Sequence, residues 1–172
     1  MGGLKPRVCH WYAVHVRSRH EYKIEKDLLQ KGVEVFLPLV NLRRKWTDRT
    51  KLVSFPLFPG YIFVHIDENS THKKTVLQSP GVTRYVCMCP GEPTPVPETQ
   101  IDSLKRAIET GAPLDPYPYL KEGRRVRIRR GPLAGIEGIL VKKEENSLLV
   151  LSVDILQQGA ALKIEAGEVE AV

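Results

Sequence analysis

The chain has 172 residues, 42% of them hydrophobic, and a formal net charge of +6. That length suits one large domain or two small ones, with enough apolar content for a core and too much for a disordered chain. No apolar run approaches the roughly 18 residues of a membrane span, and Met1 to Val8 lacks the apolar stretch of a secretory signal, so a cytosolic protein with no membrane partner is expected.

Charge is unevenly spread. Up to Thr110 there are 17 Lys and Arg against 11 Asp and Glu; from Gly111 onward there are nine against nine. The first part therefore carries the field that attracts a polyanion. Its opening run, His10 to Arg17, alternates and is rich in aromatic and β-branched residues, which predicts a strand. Ser18-Arg-His-Glu21 fits a capping box, with the serine hydroxyl and the glutamate satisfying each other's backbone amides. Ile24, Leu28 and Leu29 give the following helix its apolar stripe, and Gly32 suits its C-terminal cap. Val33 to Leu37 reads as a second strand ended by Pro38. From Leu42 to Leu52, apolar ends flank a basic, turn-prone middle, the pattern of a projecting hairpin. Tyr61 to Ile66 and Val82 to Met88 are strands, with a short helix between Ser70 and Ser79. Ile101, Leu104 and Ile108 keep a helical period as far as Gly111.

Three prolines in the nine residues Gly111 to Tyr119 predict an extended, semi-rigid connection. The expected division is a domain over 1–110, a linker over 111–121 and a second domain over 122–172. In the last, short strands are read at Val126 and Ile128, Ile136 to Val141, Leu148 to Leu156, Leu162 to Ile164 and Val169 to Val172. About five strands in about 50 residues suggest a small closed barrel, since closure removes exposed edges. The fold class is thus α+β: an N-terminal antiparallel sheet flanked by helices, linked to a five-stranded β-barrel. Within Leu148 to Leu156 one face is wholly apolar, and Leu148, Val150 and Leu156 make the other face a candidate partner surface.

Cys87 and Cys89 flank one residue, Cys9 lies far away, and the five histidines do not cluster. Buried strand thiols are expected, with no metal and no cofactor. A Walker-type phosphate loop, a nucleophile elbow and a zinc motif are all missing from the sequence, so no catalytic residues are assigned and an enzyme is not expected.

Several motifs, taken in order, resemble the NusG family of transcription elongation factors. They are Trp11-Tyr12, Phe36-Leu-Pro38, Pro56-Leu-Phe-Pro-Gly-Tyr-Ile-Phe-Val64, Pro80-Gly-Val82 and Val96-Pro97. After the Pro-rich stretch, Glu122 to Gly138 is similar to a KOW module, an SH3-like barrel, with Gly135 as its diagnostic structural glycine at a turn needing φ > 0. The first domain then corresponds to the family's NGN domain. The long basic hairpin and the wording PLFPGYIFV look like specialised paralogues of the RfaH, LoaP and UpxY types. The resemblance implies a bacterial antitermination factor whose first domain binds the large subunits of RNA polymerase. It bridges the nucleic-acid cleft at non-template DNA or nascent RNA and suppresses pausing or termination. The barrel recruits a small-subunit ribosomal protein or Rho. A monomer is expected.

The same resemblance assigns residues. Phe58, Tyr61 and Phe63 match the aromatic polymerase-binding surface, with His15 at the matching sheet position. From spacing alone these rings read rather as core, because aromatic strands usually pack inside. His72, Lys73, Lys74 and Thr75 match a short polar motif touching the opposite polymerase subunit. Arg17, Gln30 and Lys31 fall where specialised relatives contact displaced DNA. Pro80 and Asp27 depart from that pattern, so the same DNA signal is not expected to be read. Arg43, Arg44, Lys45, Arg49 and Lys51 suit phosphates, with Trp46 available for base stacking, although a solvated hairpin has the same composition. Ile136 and Leu156 match apolar barrel positions that contact the second partner, or are barrel core. Two rivals remain open. One is an RNA-binding protein using Gly60 to Val64 as a base-stacking strand, although Pro59 and Ile66 depart from that motif. The other is a ribosome-associated KOW protein.

Overall fold

The computed structural model describes residues 8–45, 48–67, 70–120, 123–143 and 146–172. Its elements form two compact units. The first takes the described residues up to Leu37 and those from Gly60 to Glu98; the second takes Pro38 to Pro59 and Thr99 to Val172.

The first unit is a five-stranded antiparallel sheet ordered β2-β5-β1-β6, with β7 also paired to β1. Its strands are β1 (Cys9–Val16), β2 (Glu34–Phe36), β5 (Tyr61–Asp67), β6 (Val82–Tyr85) and β7 (Pro95–Val96). Alternation in β1 and β5 sends Tyr12, Val14 and Val16 with Ile62, Val64 and Ile66 to one face, and all six are buried. Helices α1 (Glu21–Gln30) and α2 (His72–Leu77) pack against β2, β5 and β6. Ile24, Leu28 and Val76 supply their buried contacts. At the end of α1, Gly32 takes φ +77°. The Val33 N–H reaches the Leu28 carbonyl at 3.0 Å and the Gly32 N–H reaches that of Leu29 at 3.1 Å. This is a Schellman cap, closed by apolar Val33 and Leu28.

The start of α1 differs from the expected capping box. His20 is the N-cap and makes no side-chain capping bond. Glu21 is buried and its Oε1 accepts the Gly60 N–H at 2.9 Å. A partner 39 residues away in sequence has displaced the local one.

In the second unit, β3 (Leu39–Lys45) and β4 (Thr50–Pro56) form a two-stranded hairpin. Helix α3 (Glu98–Glu109) buries Ile101, Leu104 and Ala107, and ends at Gly111 with φ +69°. The remaining strands make a six-stranded antiparallel sheet, ordered β13-β9-β10-β11-β12-β8, which fits a KOW-like barrel. They are β8 (Leu114–Pro118), β9 (Arg124–Ile128), β10 (Glu137–Lys143), β11 (Asn146–Val153), β12 (Gln158–Ile164) and β13 (Val169–Ala171). The sixth strand is the difference from expectation. The Pro-rich stretch is extended, but residues 114–118 pair with β12. Pro116 and Pro118 lie two apart, so their missing donors fall on one side of the strand. An edge strand has one unpaired side to spare, and β8 ends the order.

The cysteines also depart from expectation. Cys9, Cys87 and Cys89 are free and exposed. The predicted strand through Met88 stops at Tyr85, which leaves Cys87 and Cys89 beyond the ladder, and Cys9 begins the first strand.

Candidate functional site

The second face of the first sheet carries the residues of interest. Register pairs Trp11 with His65, Ala13 with Phe63 and His15 with Tyr61, so these six share a face. Rings run across it. Trp11 stacks on His65 at 4.8 Å, Phe36 stacks on Phe63 at 6.0 Å, and His15 meets Tyr61 edge-on at 5.3 Å. The His65 Nδ1 lies 2.8 Å from Glu34 Oε2. Access across the face is graded. Tyr61, His15, His65 and Phe36 are half-buried, whereas Trp11 is 4% exposed and Phe63 is sealed. The expectation that Phe58 and Phe63 stand open is corrected: they are 1% and 0% exposed. Phe63 lies mid-strand between Ala13 and Phe36, and Phe58 sits in the turn before β5, so both rings are core. Tyr61, the first residue of β5, keeps partial access. His15 Nδ1 is buried without a hydrogen-bond partner among the described residues.

Helix α2 gathers His72, Lys73, Lys74 and Thr75. Lys74 is exposed and the other three are half-buried. The Thr75 hydroxyl donates to the Thr71 carbonyl at 3.2 Å, and the Tyr85 hydroxyl donates to the Lys73 carbonyl at 3.2 Å. These bonds tie the helix to itself and to β6.

In the hairpin, Arg43 pairs with Leu52, Arg44 with Lys51 and Lys45 with Thr50. Arg43, Lys45, Arg49 and Lys51 are exposed, as is Asp48. Trp46 lies outside the described residues.

Arg17, Gln30 and Lys31 are exposed. Lys31 is engaged within its own helix. Its Nζ is 2.7 Å from Asp27 Oδ2, and the Ser79 hydroxyl also donates to that carboxylate. These two hydrogen bonds, Lys31 first, hold the Asp27 pKa below its usual value.

The apolar positions assigned to a second partner are also corrected. Ile136 is 1% exposed and Leu156 is 9% exposed. Both flank sites held by α3: Arg106 donates to the Ala134 carbonyl, and Gln100 bonds Asp154 through the Asp154 carboxylate (2.8 Å) and backbone N–H (3.2 Å). Gly135 has φ +86°, and a Cβ there would lie 3.1 Å from Arg106 Nη1. Arg124, Arg125, Arg127, Arg129 and Arg130 are exposed along β9 and just after it. Two are engaged: Arg127 bonds Glu137, and Arg129 donates to the Gly167 carbonyl at 3.0 Å. Among the described residues no three His, Cys, Asp or Glu side chains gather as metal ligands. No helix among them is long and apolar enough to cross a membrane.

The fold defines the class: an α+β chain in which a helix-backed antiparallel sheet is followed by a six-stranded all-antiparallel one. The structure from the work titled "Domain interaction in Thermotoga maritima NusG" shares it, with a TM-score of 0.52 and 23% identity over 96% of this chain and 98% of that one. The family profile described as "Transcription termination factor nusG" matches residues 9–105. The chain belongs to the NusG family. Two similar proteins, each named transcription termination/antitermination protein NusG, come from Helicobacter pylori and Pseudomonas aeruginosa. They are 25% and 24% identical, and each match covers 94% of this chain and 98% of the relative.

Proposed function

We propose that this protein is a transcription elongation and antitermination factor that binds RNA polymerase through residues 1–110 and works in the cytoplasm. The observation that carries the reading is the half-open His15–Tyr61 pair, on a sheet face where Trp11 and Phe63 are closed and His65 and Phe36 are half-buried. A partly buried aromatic at the margin of a rigid sheet offers large contact area at low entropy cost, which suits a protein partner. His72 to Thr75 provide a second, more electrostatic contact. Arg43, Lys45, Arg49 and Lys51 project positive charge toward non-template DNA or nascent RNA. The length of the hairpin supports a specialised rather than a general factor. Residues 122–172 recruit a further protein of the translation or termination machinery. Ile136 and Leu156 are closed in this structure, so that contact uses other surface of the barrel.

The test is retention of purified bacterial core RNA polymerase on the immobilised full chain, comparing wild type with Tyr61→Ala. The variant is expected to bind about tenfold more weakly, the scale of one good interface anchor. Equal retention removes the docking surface. Tight RNA binding by the chain alone, with no polymerase retained, favours a free-standing RNA-binding protein instead.

A further inference from the structure

Glu21 is the one charged side chain buried among the described residues, at 3% exposure. It lies in the first turn of α1, where the helix end favours a negative group. A carboxylate out of water persists only where hydrogen bonds replace its solvation. Here the replacement is the Gly60 N–H at 2.9 Å. The Gly60 carbonyl in turn accepts the Val16 N–H at 2.8 Å. Both backbone polar groups of Gly60 are thus held, one by α1 and one by the end of β1. The residue between them has φ +83°, a conformation that L side chains rarely adopt. A Cβ there would lie 3.9 Å from His15 Nε2. The next residue is Tyr61, whose ring meets His15.

We infer that Glu21 is a positioning residue for docking: through Gly60 it sets the backbone from which Tyr61 presents its ring against His15. The inference rests on the reading of Tyr61 and His15 as a docking surface. Without the carboxylate the Gly60 N–H has no acceptor, and the turn is free to rotate away from its positive φ. The Tyr61 ring then loses its fixed direction, although no atom of Glu21 touches the partner.

The experiment is a double-mutant cycle on the full chain. Affinity for bacterial core RNA polymerase is measured for wild type, Glu21→Ala, Tyr61→Ala and the double variant, with stability measured separately by denaturant. Glu21→Ala is expected to weaken binding about tenfold, and the double variant to bind no more weakly than Tyr61→Ala alone. Glu21→Gln, which keeps an acceptor oxygen, restores binding to within about threefold of wild type, on the scale of one hydrogen bond retained. Should Glu21→Ala not fold, Glu21→Asp withdraws the acceptor by one methylene and serves in the same cycle. Losses that simply add, or wild-type affinity in Glu21→Ala beside a weakened Tyr61→Ala, overturn the positioning role and leave the docking surface intact. Wild-type affinity in Tyr61→Ala overturns the docking surface and this inference with it.

Discussion

Tyr61 and Phe63 stand two positions apart on one strand and face the same way, yet they do different things. Phe63 is fully buried against Phe36, whereas Tyr61 keeps partial access beside His15. Phe63→Ala is therefore expected to cost about 3–5 kcal/mol of stability through the cavity it leaves. Tyr61→Ala costs about 1 kcal/mol and acts mainly on binding. Urea denaturation of both variants separates these, and equal losses would return Tyr61 to the core. Asp27 makes a smaller, pH-dependent contribution. Its folded pKa is lowered, so its stabilising effect is present above the ordinary carboxylate value of about 4 and is lost as pH falls through the folded value. With its side chain 34% exposed, the pair with Lys31 is screened, and Asp27→Asn should cost under about 1 kcal/mol at neutral pH. The gap between wild type and variant should close when melting is followed below about pH 4; a gap constant with pH would exclude the ion pair as its source.

Among the elements, the helices were the most readable. The stripe Ile24, Leu28 and the glycines Gly32 and Gly111 are local signals, and both helices stop where those glycines take positive φ. Strand β8 was not readable as a strand, because proline signals only an extended backbone and cannot name its neighbour. What fixes β8 is pairing with β12 and burial of Leu114, which is 3% exposed. Leu114→Asp should detach this edge and uncover β12. The measurable result is faster amide hydrogen exchange along Gln158–Ile164 without loss of exchange protection in β11. Unchanged exchange in β12 would show that β8 is a passive rider on the sheet.

For the whole molecule the governing quantity is charge. The excess of +6 lies entirely before Gly111, and its densest part is the hairpin. If that hairpin tracks a single strand, the slope of log affinity against log salt should fall by about 0.7 for each phosphate that is no longer neutralised. Arg43→Gln with Lys51→Gln, tested by anisotropy on a labelled single-stranded oligonucleotide, should lower it by about 1.4. An unchanged slope would mark the hairpin as a solvated arm.

The sequence alone determined what depends on neighbours along the chain: strand alternation, the helical stripes, their glycine stops and the polarity of the charge distribution. It also carried the motif order by which the family could be recognised. The tertiary structure decided what depends on residues far apart. Glu21 was taken from its own helix cap by Gly60, Phe58 and Phe63 were sealed while Tyr61 stayed partly open, and Ile136 and Leu156 were covered. Burial and partner choice arise from the packing of distant segments, and a one-dimensional pattern holds the chemistry of each side chain but not the identity of what is packed against it.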